Sequence, residues 1–247
     1  MTRLGIVVAL AAEARTLGLH SYRSDDIMTL SHQVLVCVSG VGPATARIAG
    51  ARLLAHGANA LLSWGTAVAL DSQLTAGHLL VPSRVLGVDR QPQPVSRGWQ
   101  RQLHRQLSTR FAVDDRPLIA TPRILTRPAQ KRRLFDESGA VAADMESAEL
   151  ALVARDAGVP FAALRAVADR ADSNIPDWIT GSMDGYGRVR ITSILLPLIV
   201  HPADWPDIAG LARDFRAATN TLKAIRSDGD CADLIPDLSV SEARAIA

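Results

Sequence analysis

The residues best suited to chemistry sit where apolar runs stop. Glu13 follows Leu4–Ala9, Asp144 and Glu146 follow Ala140–Ala143, and Asp169 follows Phe161–Val167. Carboxylates in such places serve general acid–base catalysis, because burial brings their pKa toward the working pH. Each also has a plain structural reading. Glu13 and Glu146 suit the first turn of a helix, Asp144 suits a helix cap, and Asp169 suits a turn. The repeated coincidence leaves both readings open. Two other stretches offer backbone instead of acids. Ser39-Gly40-Val41-Gly42 lies between an apolar run and Pro43, a glycine turn that lets a ligand or anion approach a helix N-terminus. Ser63-Trp64-Gly65-Thr66-Ala67 is a further strand end followed by small residues. Neither is a dinucleotide fingerprint or a P-loop.

Positioning these groups calls for an α/β fold. Short apolar runs alternate with helical patterns, as in a sheet with crossover helices, where ligands gather at the carboxyl ends of strands. Strands are predicted at Leu4–Ala9, Gln33–Val38, Ala60–Trp64, His78–Pro82, Pro117–Ala120, Ala140–Ala143 and Phe161–Val167. Helices are predicted at Ala44–His56, Gly98–Ser108, Glu146–Ala157 and Asp207–Ile225. The first begins at an N1 proline and stops at Gly57, and the third stops at Gly158. The expectation is one domain over residues 1–226, a central mixed, largely parallel twisted sheet flanked by helices. Residues 227–247 read as a polar tail, loosely ordered or a surface arm.

Composition narrows the function classes. The 247 residues are 48% hydrophobic with a net charge of +2, which excludes a disordered chain and gives no sign of nucleic acid as partner. Aromatics are only 4%, so Ala, Leu, Val and Ile must build the core. The six histidines lack ligand-like spacing, and Cys37 and Cys231 fit neither a disulfide scaffold nor a metal site. No metal and no organic cofactor is expected. No GxSxG or Cys/His nucleophile arrangement occurs. Met1–Glu13 superficially resembles a signal peptide, but its short apolar run reads better as a first strand. Ile191–Val200 is about half a membrane span and contains Pro197. A cytoplasmic protein fits this pattern.

The charge is uneven. Arg84–Arg133 holds twelve basic and three acidic residues, leaving fifteen basic and twenty-two acidic elsewhere. Of the 27 basic residues only Lys131 and Lys223 are lysines. The basic segment is either a solvated surface or a face drawn to an anionic membrane.

Taken in order, Gly5-Ile-Val-Val-Ala-Leu-Ala-Ala-Glu13, Ser39-Gly-Val-Gly42, Trp64-Gly-Thr-Ala67, Ala76-Gly-His-Leu-Leu-Val-Pro82, Asp144-Met-Glu146 and Arg165-Ala-Val-Ala-Asp169 resemble the nucleoside phosphorylase/nucleosidase superfamily. Methylthioadenosine/S-adenosylhomocysteine nucleosidase is the clearest template, over about residues 3–170. Asp184-Gly-Tyr-Gly-Arg188, Leu195-Leu-Pro-Leu198 and Leu211-Ala-Arg-Asp-Phe-Arg216 are similar instead to the hopanoid-associated phosphorylase branch, linked to adenine removal from adenosylhopane.

The resemblance implies roles. Asp169 matches the acid that protonates or hydrogen-bonds purine N7, and Glu13 the acid that activates the attacking water. Glu146 matches the glutamate that holds the ribose hydroxyls, with Met145 beneath the sugar and Asp144 beside it. Val41, Thr66 and Ala67 match pocket positions. Breaking an N-glycosidic bond builds positive charge on the ribose and negative charge on the base, so acids at these places are the parts required.

The departures are informative. Ser63 stands where phosphorylases commonly carry a phosphate-holding arginine, which favours water as the acceptor, with Arg15 as a substitute cation. Leu125 replaces a stacking phenylalanine, Val68 a pocket glycine and Ala168 a serine beside the acid. The implied activity is adenine release from an adenosine-type nucleoside, with adenosylhopane as its substrate. Cleavage of methylthioadenosine or S-adenosylhomocysteine, phosphate-dependent cleavage and nucleoside binding without turnover are the alternatives. The expected partners are a small nucleoside or nucleoside-lipid, a second copy in a homodimer, and an anionic membrane surface touched peripherally.

Overall fold

The computed structural model describes residues 2–21, 26–176, 204–228 and 231–237. The core begins with β1 (Leu4–Val8), a Leu-Gly-Ile-Val-Val run buried on both faces, as a parallel strand between neighbours must be. It pairs in parallel with β3 (Val34–Val38) on one side and β4 (Ala60–Ala69) on the other. The hairpin partner of β3 is β2 (Ile27–Ser31), a half-buried edge strand. Between β1 and β2 lies α1 (Ala11–Thr16), and between β3 and β4 lies α2 (Pro43–Ala55), begun by Pro43.

β4 is the axis of the sheet. Its first half pairs with β1, its last residues pair antiparallel with β10 (Ala142–Asp144), and β11 (Phe161–Asp169) runs parallel along its other edge. The prediction ended β4 at Trp64; the strand instead runs five residues further, so Gly65, Thr66 and Ala67 lie within it. β11 also runs beyond its predicted end, through Asp169, with a bulge between Val167 and Asp169.

The rest of the sheet is short strands: β5 (Leu79–Leu80), β6 (Val85–Leu86), β7 (Pro92–Gln93), β8 (Val113–Asp114) and β9 (Leu118–Ala120). The order is β2-β3-β1-β4-β10-β9-β6-β7, with β11, β5 and β8 branching from β4. Helices α3 (Arg97–Ser108), α4 (Pro128–Ser138), α5 (Ser147–Asp156) and α6 (Trp205–Asp228) complete the described elements. Helices flank a mixed sheet in one domain, as expected. Beyond α6, Cys231–Leu234 forms a 3-10 turn. Leu234 is buried, its carbonyl accepts the Trp99 indole N–H at 2.9 Å, and the Ile235 carbonyl accepts from Gln102. Residues 231–237 are therefore a docked arm and not a loose tail. The motifs at Asp184–Arg188 and Leu195–Leu198 lie outside the described residues. Among the described residues, no helix is long and apolar enough to cross a membrane.

Candidate active site

Parallel pairing brings the C-terminal ends of β1, β3 and β4 to one side of the sheet, and the chain leaves each there with the groups singled out in the sequence. Glu13, at the third position of α1, reaches back over the end of β1. Its Oε2 accepts the backbone N–H groups of Ala9 (3.0 Å) and Leu10 (2.9 Å). Its Oε1 accepts the N–H (2.7 Å) and hydroxyl (2.9 Å) of Thr66. Four donors fix one carboxylate that is 1% exposed. Gly65 makes this approach possible: a Cβ there would lie 2.6 Å from Glu13 Oε1 and would strike Arg165 Nη1.

Arg165 lies beneath the acids. It sits in the middle of β11 and is 2% exposed. Its Nη2 lies 2.6 Å from Asp144 Oδ2, donates to Ser63 Oγ at 2.6 Å and to Ser147 Oγ at 3.1 Å, and is 3.7 Å from Glu146 Oε2. Asp144 also accepts from the Ser147 N–H and hydroxyl, capping α5. The resemblance placed Asp144 among substrate-binding residues. Its side chain is only 1% exposed and fully engaged, so it holds Arg165 and caps a helix instead. Ser63 is likewise sealed inside this network and is not a surface for an anion.

Glu146 sits where β10 turns into α5 and accepts the Gly42 N–H at 2.9 Å, which ties it to the glycine turn after β3. Burial pushes its carboxyl up to about 7; Arg165 opposes this, while Asp144 and Glu13 add to it. Gly42 has φ of 109°, a conformation that glycine adopts freely. Val41 is half-buried in the same turn, Met145 is half-buried beside Glu146, and Ala67 is buried in β4. Leu125 is half-buried and packs, as Val68 does, against a small apolar cluster that includes Ile119 and Ala143. Arg15, the substitute cation, is exposed on α1.

Asp169 stands at the end of β11, four residues beyond Arg165. Its Oδ1 accepts from Lys131 Nζ at 2.8 Å. Its Oδ2, also 2.8 Å from Nζ, is buried. Burial raises the Asp169 pKa, and Lys131 pulls it back. The structure thus joins Glu13, Thr66, Glu146 and the Gly40–Gly42 turn around Arg165, and gives Asp169 a cation of its own. Sequence reasoning assigned no role to Arg165, Ser147 or Lys131. Arg165 had a signal, as the one charge inside an apolar strand. Lys131 had a fainter one, as one of two lysines among 27 basic residues. Among the described residues no cluster of His, Cys, Asp and Glu has the arrangement of a metal site.

The fold is shared with solved structures. A 5'-methylthioadenosine/S-adenosylhomocysteine nucleosidase of Helicobacter pylori superposes with a TM-score of 0.65 at 18% identity, covering 92% of this chain and 99% of its own. Futalosine hydrolase of the same organism gives 0.65 at 18%, covering 92% and 98%. The Neisseria meningitidis 5'-methylthioadenosine/S-adenosylhomocysteine nucleosidase gives 0.61 at 18%, covering 70% and 87%. No curated protein matches the chain. The family model of the phosphorylase superfamily matches residues 4–181, most of the chain, and the protein belongs to that superfamily.

Proposed function

We propose that this protein hydrolyses the N-glycosidic bond of an adenosine-type nucleoside and releases adenine. The observation that carries the choice of water over phosphate is the anchoring of Glu13. Its carboxylate takes the free N–H groups at the end of β1 and both donors of Thr66, the donors an anion would use. Ser63 is committed to Arg165, and Arg15 is exposed, so neither supplies the missing cation.

The chemistry follows from charge. As the bond to the base stretches, positive charge grows on the ribose and negative charge on the purine. Asp169, its pKa raised by burial, donates a proton to N7. Glu146 accepts the ribose hydroxyls and, with Glu13, places negative charge near the developing cation. Glu13 directs a water at the anomeric carbon and takes its proton. Arg165 does not touch substrate; it keeps Asp144 and Glu146 in place.

Adenosylhopane is the substrate we favour. The resemblance supports it, and so does the pair at the centre of the 121–127 loop, where half-buried Leu125 adjoins Ile124, a large apolar side chain 44% exposed. The second reading, methylthioadenosine or S-adenosylhomocysteine cleavage, is favoured by the fold shared with such nucleosidases. Comparing kcat/KM for the lipid and soluble substrates separates them: a clear preference for the soluble pair removes adenosylhopane. A homodimer and a peripheral membrane contact through exposed Arg97, Arg101 and Arg105 belong to the same proposal. Light scattering tests the dimer. Vesicle flotation tests the membrane contact: charge reversal of those arginines abolishes flotation, and flotation unchanged by the reversal removes the contact.

A further inference from the structure

Lys131 is a fully buried lysine that none of the steps above uses. It lies in the first half of α4, and its ammonium offers three N–H bonds, which meet three oxygens: Asp169 Oδ1 at 2.8 Å, the Arg170 carbonyl at 2.7 Å and the Ser173 carbonyl at 2.9 Å. We propose that Lys131 is a positioning residue for the leaving-group acid, fixing the direction of Asp169 and setting the pH range over which it carries a proton. The inference rests on the reading of Asp169 as the acid that protonates the purine.

The geometry separates this contact from an ordinary ion pair. The ammonium lies 2.8 Å from both Asp169 oxygens and donates to Oδ1, so it fixes the direction of the whole carboxyl group. The same ammonium ties down the turn after β11. Ile175 N–H in turn donates to the Thr126 carbonyl at 2.8 Å, linking that turn to the loop that carries Leu125. Three acceptors around one nitrogen, fully enclosed, fit an ammonium and not a planar guanidinium. That matches a lysine here in a chain where 25 of 27 basic residues are arginine.

Electrostatics agree. Burial lowers the Lys131 pKa, and Asp169 and Asp172 raise it while Arg170 lowers it. At Asp169 burial raises the pKa, Lys131 and a hydrogen bond from the Ser173 side chain lower it, and Asp214 of α6 raises it. Asp214 itself accepts from Arg170 at 2.9 Å. Lys131 is therefore the main counterweight to the burial of Asp169.

The test is the pH profile of kcat/KM for adenine release by Lys131→Met, beside wild type and Asp169→Asn. With the cation gone, Asp169 holds its proton to higher pH, so one limb of the profile moves upward. kcat falls on the order of 10²-fold, the cost of a misdirected catalytic group, with KM little changed. If Lys131→Met does not fold, Lys131→Gln keeps a hydrogen-bond donor without the charge and shows the same upward shift. Unmoved limbs, with kcat within twofold of wild type in a folded variant, overturn the inference. Asp169→Asn distinguishes the two levels. If Asp169→Asn keeps full activity, the acid assignment fails and the role of Lys131 with it. If Asp169→Asn is inactive but the Lys131 limbs stay put, only the inference fails.

Discussion

At Glu146, burial and charge act against each other, and the balance sets a pH dependence. In the folded chain its carboxyl keeps a proton up to about pH 7, against an ordinary value of 4.5. Between those values the native state binds a proton that the unfolded chain has released. Stability therefore falls as pH rises across that window, and Glu146→Gln loses that part of the slope in denaturant titrations. In the proposed mechanism activity runs the other way, because there the Glu146 carboxylate accepts the ribose hydroxyls, so kcat/KM rises as pH climbs through about 7. Arg165→Met leaves Asp144 and Glu146 buried without their cation and costs about 3–5 kcal/mol, read as a loss in Tm. Gly65→Ala puts a methyl group against Glu13 and Arg165 and lowers kcat more than it raises KM. The acids were legible in the sequence because a carboxylate after an apolar run stands out. What each one touches was not. Asp144 and Asp169 look alike along the chain, yet one grips an arginine from β11 and the other a lysine from α4, and only pairing across the sheet decides which.

Among the elements, the long buried runs were easiest to read, because two-sided burial makes β1 and β3 continuously apolar and leaves β11 apolar but for Arg165 and Asp169. The strands that escaped were an edge strand and pairs of two residues, too short to show periodicity. α4 escaped for a different reason. Pro128–Ser138 has few apolar residues, and Lys131-Arg132-Arg133 reads as a solvated charge run, although only Lys131 turns inward. For the C-terminal segment the choice between a loose tail and a surface arm stayed open, because the contacts of residues 231–237 depend on a few backbone carbonyls and one leucine. Leu234→Ala empties that contact and costs about 2–5 kcal/mol, measured by chemical denaturation, whereas an undocked tail would tolerate it.

Over the whole molecule, the basic segment has a structural explanation for part of its length. Arg90, Arg132 and Arg133 pair with Glu137 or Asp136, Arg116 with Asp71 and Asp114, and Lys131 with Asp169. The acids that balance the segment mostly lie outside it in sequence, so a local count overstates the field the surface presents. Exposed pairs of this kind contribute little stability, but they reduce the free cations available to an anionic partner. The fold class was legible because α/β alternation is a property of the whole chain, while the nucleophile depends on how β1 and β4 meet around Glu13. The most direct measurement is therefore the sugar product of adenine release, made with and without inorganic phosphate. Equal rates and a free ribosyl sugar in both are the result predicted. A strict phosphate requirement with a ribosyl 1-phosphate product would contradict the reading of Glu13 as the group that directs water.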